Sequence, residues 1–278
     1  MTRFAFSQVD VFTDEPLLGN PLAVVHGADR LDDARMQAFA RWTNLSETTF
    51  LLAPTEPDAD YRVRIFTPGG ELPFAGHPTL GSCHAWLERG GAPRAGREVV
   101  QQCNAGLVRI RLEPGRAAFA APPLRQTAVD AGALDRIVAA LGVPRSAIRA
   151  TRSLDNGPVW IGLLLDRAET VLALEPDHAA LRTLAKVGVI APHATGAACD
   201  FEVRAFAAPI GVAEDPVTGS LNASLAQWLI GAGLAPGRYL VAQGTRLGRR
   251  GRVHIASDTA DVWVGGQSIT CIRGEVEL

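Results

Sequence analysis

A seven-residue phrase occurs twice in this chain. Glu71-Leu-Pro-Phe-Ala-Gly-His77 returns as Glu214-Asp-Pro-Val-Thr-Gly-Ser220, both reading Glu-x-Pro-x-x-Gly. Each follows an alternating, strand-like run, Tyr61-Arg-Val-Arg-Ile-Phe66 in one case and Phe201-Glu-Val-Arg-Ala-Phe206 in the other. The strands lie 140 positions apart (61 to 201) and the phrases 143 (71 to 214), so the second connection is three residues longer. Self-similarity at a fixed period marks copies of one structural unit. Two copies in 278 residues are also what domain size favours.

The parallel extends beyond the phrase. Gly19-Asn20-Pro21-Leu-Ala-Val-Val25 opens a strand in the first half, as Asn156-Gly157-Pro158-Val-Trp-Ile-Gly-Leu163 does in the second. Helical spacing follows each, at Leu31 to Trp42 and at His178 to Val187. Then come Leu51-Leu-Ala-Pro54 and Val189-Ile-Ala-Pro192, the paired Val-Arg strands and the turns. After the turns stand Thr79 to Arg89 and Leu221 to Ile230, apolar on nearly every side as a buried helix must be. Extended segments outnumber helices, so the expectation is an α+β fold of two pseudo-symmetric domains, each a mostly antiparallel sheet curled around a central helix. A linker is expected between Pro122-Pro123 and Gly132. The domains are then residues 1–122, completed by a C-terminal strand at 266–278, and residues 123–265.

The two turns are chemically suggestive. A strand that ends in a glycine turn and opens a buried helix points free backbone N–H groups and the positive end of the helix dipole at one spot, which suits an anion. Gly76 and Gly219 let a ligand come close to the backbone, and Pro78 sits where a missing N–H costs nothing. His77 and Ser220 stand at the two helix starts; the plain alternative for His77 is a satisfied histidine at a helix end. Glu47, in Asn44-Leu-Ser-Glu-Thr-Thr-Phe50, lies between a helix and an apolar strand. It is either a surface glutamate or a carboxylate at a cleft edge with a raised pKa, placed to act as a general base. Matching Ala53-Pro54 to Ala191-Pro192, 138 positions on, sets Ala185 opposite Glu47, so only the first half has a carboxylate there.

Composition narrows the partners. The formal charge is −2, no long basic run occurs, and two tyrosines offer little for base stacking, so nucleic acid is not expected. No apolar run reaches membrane-spanning length, and the amino terminus alternates like a strand and lacks the pattern of a signal peptide, so the expected location is the cytoplasm. Cys83, Cys103, Cys199 and Cys271 form no Cys-x-x-Cys pair, and the six histidines give no His-x-x-x-His pair, so no metal is expected. The single lysine, Lys186, in a helical context, has nothing phosphate-binding beside it, which argues against pyridoxal phosphate. Gly244 to Gly251 lacks the setting of a dinucleotide loop and reads as a hairpin.

Asn20 in Gly-Asn-Pro, Ser46-Glu47-Thr48, Phe74-Ala-Gly-His-Pro78, Glu214 to Ser220 and Ala242-Gln-Gly244 together resemble the phenazine-biosynthesis PhzF family over essentially the whole chain. The resemblance implies a fold like that of diaminopimelate epimerase, with the active site in the cleft between two similar domains. That epimerase works with two cysteines at its helix starts. Here Ala75 precedes Gly76 and no cysteine is near Gly219, so two-thiol racemisation is set aside. By the same resemblance, Glu47 removes a proton from a ring carbon and helps return it elsewhere without a cofactor. His77, Asp215 and Ser220 hold the substrate and support proton movement, with Asn20, Ser46, Gly76 and Gly219 as binding positions. The implied function is isomerisation of a small cyclic unsaturated carboxylic acid like dihydro-hydroxyanthranilate. A different proton transfer on another small acid, and a binding protein without chemistry, stand as alternatives. The expected assembly is a homodimer.

Overall fold

The computed structural model describes residues 2–278. The chain forms two compact units, Met1–Ala120 with Gly265–Leu278, and Ala121–Val264. In chain order the first contains β1 (Arg3–Val11), β2 (Asn20–Val25), α1 (Asp33–Thr43), β3 (Thr48–Leu52), β4 (Tyr61–Thr67), β5 (Gly70–Leu72), α2 (Gly76–Glu88), β6 (Glu98–Cys103), β7 (Gly106–Glu113) and β8 (Arg116–Ala120). The second contains β9 (Arg125–Thr127), α3 (Ala131–Leu141), β10 (Ile148–Asp155), β11 (Val159–Leu165), α4 (Ala168–Ala173), α5 (His178–Leu181), β12 (Val187–Pro192), β13 (Phe201–Ala207), β14 (Val212–Asp215), α6 (Gly219–Gly231), β15 (Arg238–Gln243) and β16 (Gly251–Ser257). β17 (Val262–Gly266) crosses the boundary in sequence, and β18 (Ser268–Glu277) completes the first unit by pairing antiparallel with β1.

Strand pairing repeats element for element. In the first unit β1–β2 is antiparallel, β2–β3 parallel, β3–β4 and β4–β5 antiparallel, β4–β6 parallel and β6–β7 antiparallel. In the second, β10–β11, β11–β12, β12–β13, β13–β14, β13–β15 and β15–β16 follow the same sequence of directions. Both units are therefore α+β, with mostly antiparallel sheets, and in each the helix after the Glu-x-Pro-x-x-Gly phrase is the buried one.

That helix is buried because its residues are small or apolar on every face. In α2, residues Gly76 to Cys83 and Ala85 are all buried; in α6 so are Leu221 to Ala226, Trp228 and Leu229. Glycines set the closeness of sheet and helix. A Cβ on Gly81 of α2 would lie 2.6 Å from Leu22 Cδ2, and one on Gly188 of β12 would lie 2.3 Å from Leu221 Cδ1, both inside any normal contact.

The first glutamate of each phrase has a structural task. Glu71 receives the Arg64 guanidinium in a two-pronged pair, 2.7 Å from Nε and 2.6 Å from Nη2. Glu214 receives Arg204 in the same way, at 3.0 and 2.8 Å. Each guanidinium also lies over the phenylalanine two residues on, Arg64 at 5.1 Å from the Phe66 centroid and Arg204 at 5.0 Å from Phe206. The pair pins the returning hairpin strand, β5 or β14, to β4 or β13, and so sets where the central helix begins.

Two sequence expectations change. The helix expected over His178 to Val187 ends after one turn, at Leu181, and Val187 already opens β12. β-Branched Val187, Val189 and Ile190 favour the strand, and the Ile161 N–H holds the Lys186 carbonyl at 2.8 Å. Lys186 therefore lies at a strand entrance, outside any helix. The counterpart of Glu47 also moves. Thr48 faces Phe66 and Val187 faces Phe206, and those phenylalanines occupy matching positions 140 apart, so Glu47 corresponds to Lys186, not Ala185. The two Ala-Pro words misled by one residue: Ala191 faces Glu202, whereas it is Leu52 that faces the matching Arg62.

Candidate active site

In the first unit, three chain segments bring four polar side chains together. β2 supplies Asn20 at its first residue, the link into β3 supplies Ser46 and Glu47, and α2 supplies His77 at its second residue. The Ser46 hydroxyl donates to Asn20 Oδ1 at 3.3 Å, and Asn20 Nδ2 lies 3.4 Å from His77 Nδ1. On the far side of the ring, His77 Nε2 is 3.5 Å from Glu47 Oε2. That is longer than a direct hydrogen bond between such groups. Local alternation explains the geometry. Thr49 points at the central helix, where Ser82 Oγ donates to its hydroxyl at 2.9 Å, and Glu47, two residues earlier on the same face, points at that helix's first turn.

His77 is 4% exposed, and burial lowers its pKa to about 3, with a backbone hydrogen bond at Pro21 acting the other way. At neutral pH the imidazole is uncharged despite the nearby carboxyl group. It can hold or pass a proton but does not contribute a positive charge. Cys83, the nearest cysteine in sequence, is buried farther along α2 and burial pushes its thiol up to about 12, so it is no thiolate base.

In the second unit, Asp215 ends β14 and Ser220 is the second residue of α6, the position His77 holds in α2. Thr218 Oγ1 donates to Asp215 Oδ2 at 2.5 Å. Gln243 ties the turn together: its Oε1 accepts from the Thr218 N–H at 3.1 Å and from Asn222 Nδ2 at 2.8 Å, and its Nε2 reaches the Asp215 carbonyl at 3.2 Å. The Ser220 carbonyl accepts from Asn156 Nδ2 at 3.0 Å and from Ser224 Oγ at 2.9 Å. Gly244, at φ +89°, turns the chain where a Cβ would strike the Pro216 carbonyl at 2.7 Å, which accounts for glycine after Gln243.

The helix starts themselves are distinctive. α1, α3 and α5 are capped by Asp32, Asp130 and Asp177, whose carboxylates accept backbone N–H bonds. α2 and α6 have no side-chain cap, as is also true of the short α4, but they alone of these helices begin at a buried glycine, Gly76 and Gly219. Their first N–H groups are thus left for a ligand, in the arrangement that binds anions. Among the described residues no cluster of three or more His, Cys, Asp or Glu is placed to hold a metal ion.

Sequence reasoning named Asn20, Ser46, Glu47, Gly76 and His77, which the first unit gathers, and Asp215, Gly219 and Ser220, which the second gathers. It gave no role to Gln243, although Ala242-Gln-Gly244 stood out as a word, nor to the Arg–Glu pairs. The repeated Arg64 and Arg204, facing the first residue of each phrase, was the available signal for the latter.

Comparison with known proteins agrees with this architecture. A profile of the phenazine biosynthesis-like proteins, PhzC-PhzF, matches residues 9–274. "Antisense-enhancing sequence 1" of Schizosaccharomyces pombe is 37% identical, with 99% of each chain covered. The trans-2,3-dihydro-3-hydroxyanthranilate isomerase of Pseudomonas aeruginosa is 36% identical over 91% of this chain and 90% of its own. The crystal structure of a PhzF-family phenazine biosynthesis protein from Enterococcus faecalis superposes with a TM-score of 0.83 at 26% identity, with both chains fully covered. The chain belongs to the phenazine biosynthesis-like protein family, as an isomerase of the PhzF type.

Proposed function

We propose that this isomerase shifts a proton and the attached double bonds within a small cyclic unsaturated carboxylic acid, similar to the substrate named for its Pseudomonas relatives, without a cofactor. The observation that carries this is the Glu47 carboxyl group 3.5 Å from a buried, uncharged His77 at the uncapped start of α2. Glu47 takes a proton from a ring carbon, the double-bond electrons move over the allylic system, and the proton is returned at its far end. Atoms and electrons balance with no added reagent. His77, held by Asn20, which Ser46 in turn holds, relays or keeps a proton as a neutral group. In the second unit, Asp215 and Ser220 offer a carboxyl group and a hydroxyl at the start of α6, and in each unit the helix-start glycine, Gly76 or Gly219, lets a carboxylate approach backbone N–H groups.

Glu47→Gln keeps the shape and loses the base, so turnover should fall by about 10² to 10⁴ while affinity changes only a few-fold. Near-normal turnover would move the base elsewhere, first of all to Asp215. Following a substrate deuterated at the donor carbon separates the reaction types: label appearing at a new carbon supports the allylic shift, whereas inversion at one carbon with the double bonds unmoved would make the enzyme an epimerase. We also propose that the protein works as a homodimer in the cytoplasm. All four cysteines are free, as suits a reducing compartment, and no helix among the described residues is long and apolar enough to cross a membrane. Light scattering after size-exclusion chromatography measures the assembly.

A further inference from the structure

We propose that Lys186, the only lysine, is the residue of the second unit that binds the carboxylate of the acid substrate. The nature of that acid rests on the isomerase reading above; the binding role rests on four observations within the unit.

Position comes first. Strand register makes Lys186 the counterpart of Glu47, each one residue before the strand that runs beside the central helix. Direction comes second. Gly188, two residues on and so on the same face, abuts Leu221 in the first turn of α6, and the outer face is taken by Val187 and Val189 in a separate apolar cluster. The Lys186 ammonium lies 5.1 Å from the centroid of the Trp160 ring. Trp160 shares a face of β11 with Gly162, where an added Cβ would meet Trp228 and Leu225 of α6. The cation is therefore on the central-helix side of the sheet.

Charge comes third. Lys186 is half-buried, burial lowers its pKa, and among the described residues no carboxylate pairs with it. An indole face attracts an ammonium without neutralising it. Fourth, Trp160 is 3% exposed and its Nε1–H has no acceptor in the protein. A half-buried cation with no carboxylate partner, close to the ring of a buried indole whose N–H has no acceptor, makes this a place where an anion would be stabilised, because leaving such groups unpaired costs free energy. A carboxylate is such an anion. The surplus cation in this acid-handling fold thus stands at the position where the other half carries its base.

The test uses anthranilate and anthranilamide, which differ in whether the ring bears a carboxylate or an uncharged amide. Isothermal titration at pH 7 should show the wild type preferring anthranilate by about 10- to 100-fold, the worth of charge-assisted hydrogen bonds. Lys186→Met should reduce that preference to about two-fold, and Lys186→Arg should restore most of it. An undiminished preference in Lys186→Met, or no preference in the wild type, overturns the proposal. A second measurement needs no variant. Lys186 carries the only side-chain amine, so acetylation of the native protein followed by mass spectrometry reads it directly; anthranilate should slow the labelling and anthranilamide should not. Equal labelling with both also overturns the proposal. A protein that shows both carboxylate effects yet isomerises no cyclic acid would lose the isomerase reading and keep this one.

Discussion

His77 should make the protein acid-sensitive well above the range where carboxylates titrate. In the unfolded chain a histidine titrates near pH 6.5, whereas folded His77 stays neutral down to about 3 because it is buried. The folded pKa is depressed, so the stabilising contribution is complete above pH 6.5 and is lost as pH falls toward the folded value. Each pH unit below 6.5 costs about 1.4 kcal/mol per such site, so moving from pH 7 to pH 5 should cost about 2 kcal/mol through His77 alone. Any folded pKa below about 4 gives nearly the same figure at pH 5, since the site is then almost wholly unprotonated in the native state. His26, lowered to about 4, and His84, also lowered, are both shifted chiefly by burial and act in the same sense, so the wild type should lose more than this. The difference between wild type and His77→Asn isolates the one site. Urea unfolding followed by circular dichroism at pH 7, 6 and 5 should show the variant losing about 2 kcal/mol less over that range, whatever its stability at pH 7. Parallel pH dependence in the two proteins would mean that His77 is not held neutral by burial, and the description of it as an uncharged relay would fail with it.

Other consequences can be checked by the same methods. Arg204→Leu leaves the buried Glu214 carboxylate without its guanidinium and should cost about 3 to 5 kcal/mol, with much of the loss recovered when Glu214 is also replaced by leucine; equal stability of the two variants would refute the pairing. Gly188→Ala drives a methyl group into Leu221 and should cost about 1 to 3 kcal/mol, which thermal unfolding reads. Gln243→Leu removes the acceptor of the Thr218 N–H and the Asn222 amide, costing about 1 to 3 kcal/mol. It should also lower kcat by loosening the turn that carries Asp215. Unchanged kcat would confine Gln243 to a structural task.

Much of the fold was legible because the chain states it twice. The alternating runs at Tyr61 and Phe201, the glycines at 76 and 219, and the all-round apolar helices after them locate both sheets and both central helices without reference to packing. The part that was not legible depends on register. A strand tolerates no slip of one residue, because every side chain would change face, yet a two-residue word such as Ala-Pro can recur one position out of step. That slip sets Ala185 opposite Glu47, whereas the pairing of Val187 with Phe206 puts Lys186 there. Helix spacing failed at His178 for a related reason: four residues with a capping aspartate look like the start of a long helix, and only the pairing of Val187 with β11 and β13 shows where it stops. At the site, residue types pointed to Glu47 and His77, but the neutrality of His77 follows from its burial, which no local pattern reports.

The two halves also show how one scaffold can carry two different chemical ends. At matching register positions Arg64 and Arg204, Phe66 and Phe206, Glu71 and Glu214, and Gly76 and Gly219 are the same, while Leu72 and Asp215, His77 and Ser220, and Glu47 and Lys186 differ. The unchanged set is mutually dependent. Losing either member of an Arg–Glu pair strands a charge. The changed set stands at element ends, in the turn into the helix or one residue before a strand, where the backbone path is already settled by the neighbouring register. One half therefore carries a carboxyl group beside a buried histidine and the other a cation beside an indole ring, while the strand pairing that holds them is the same in both.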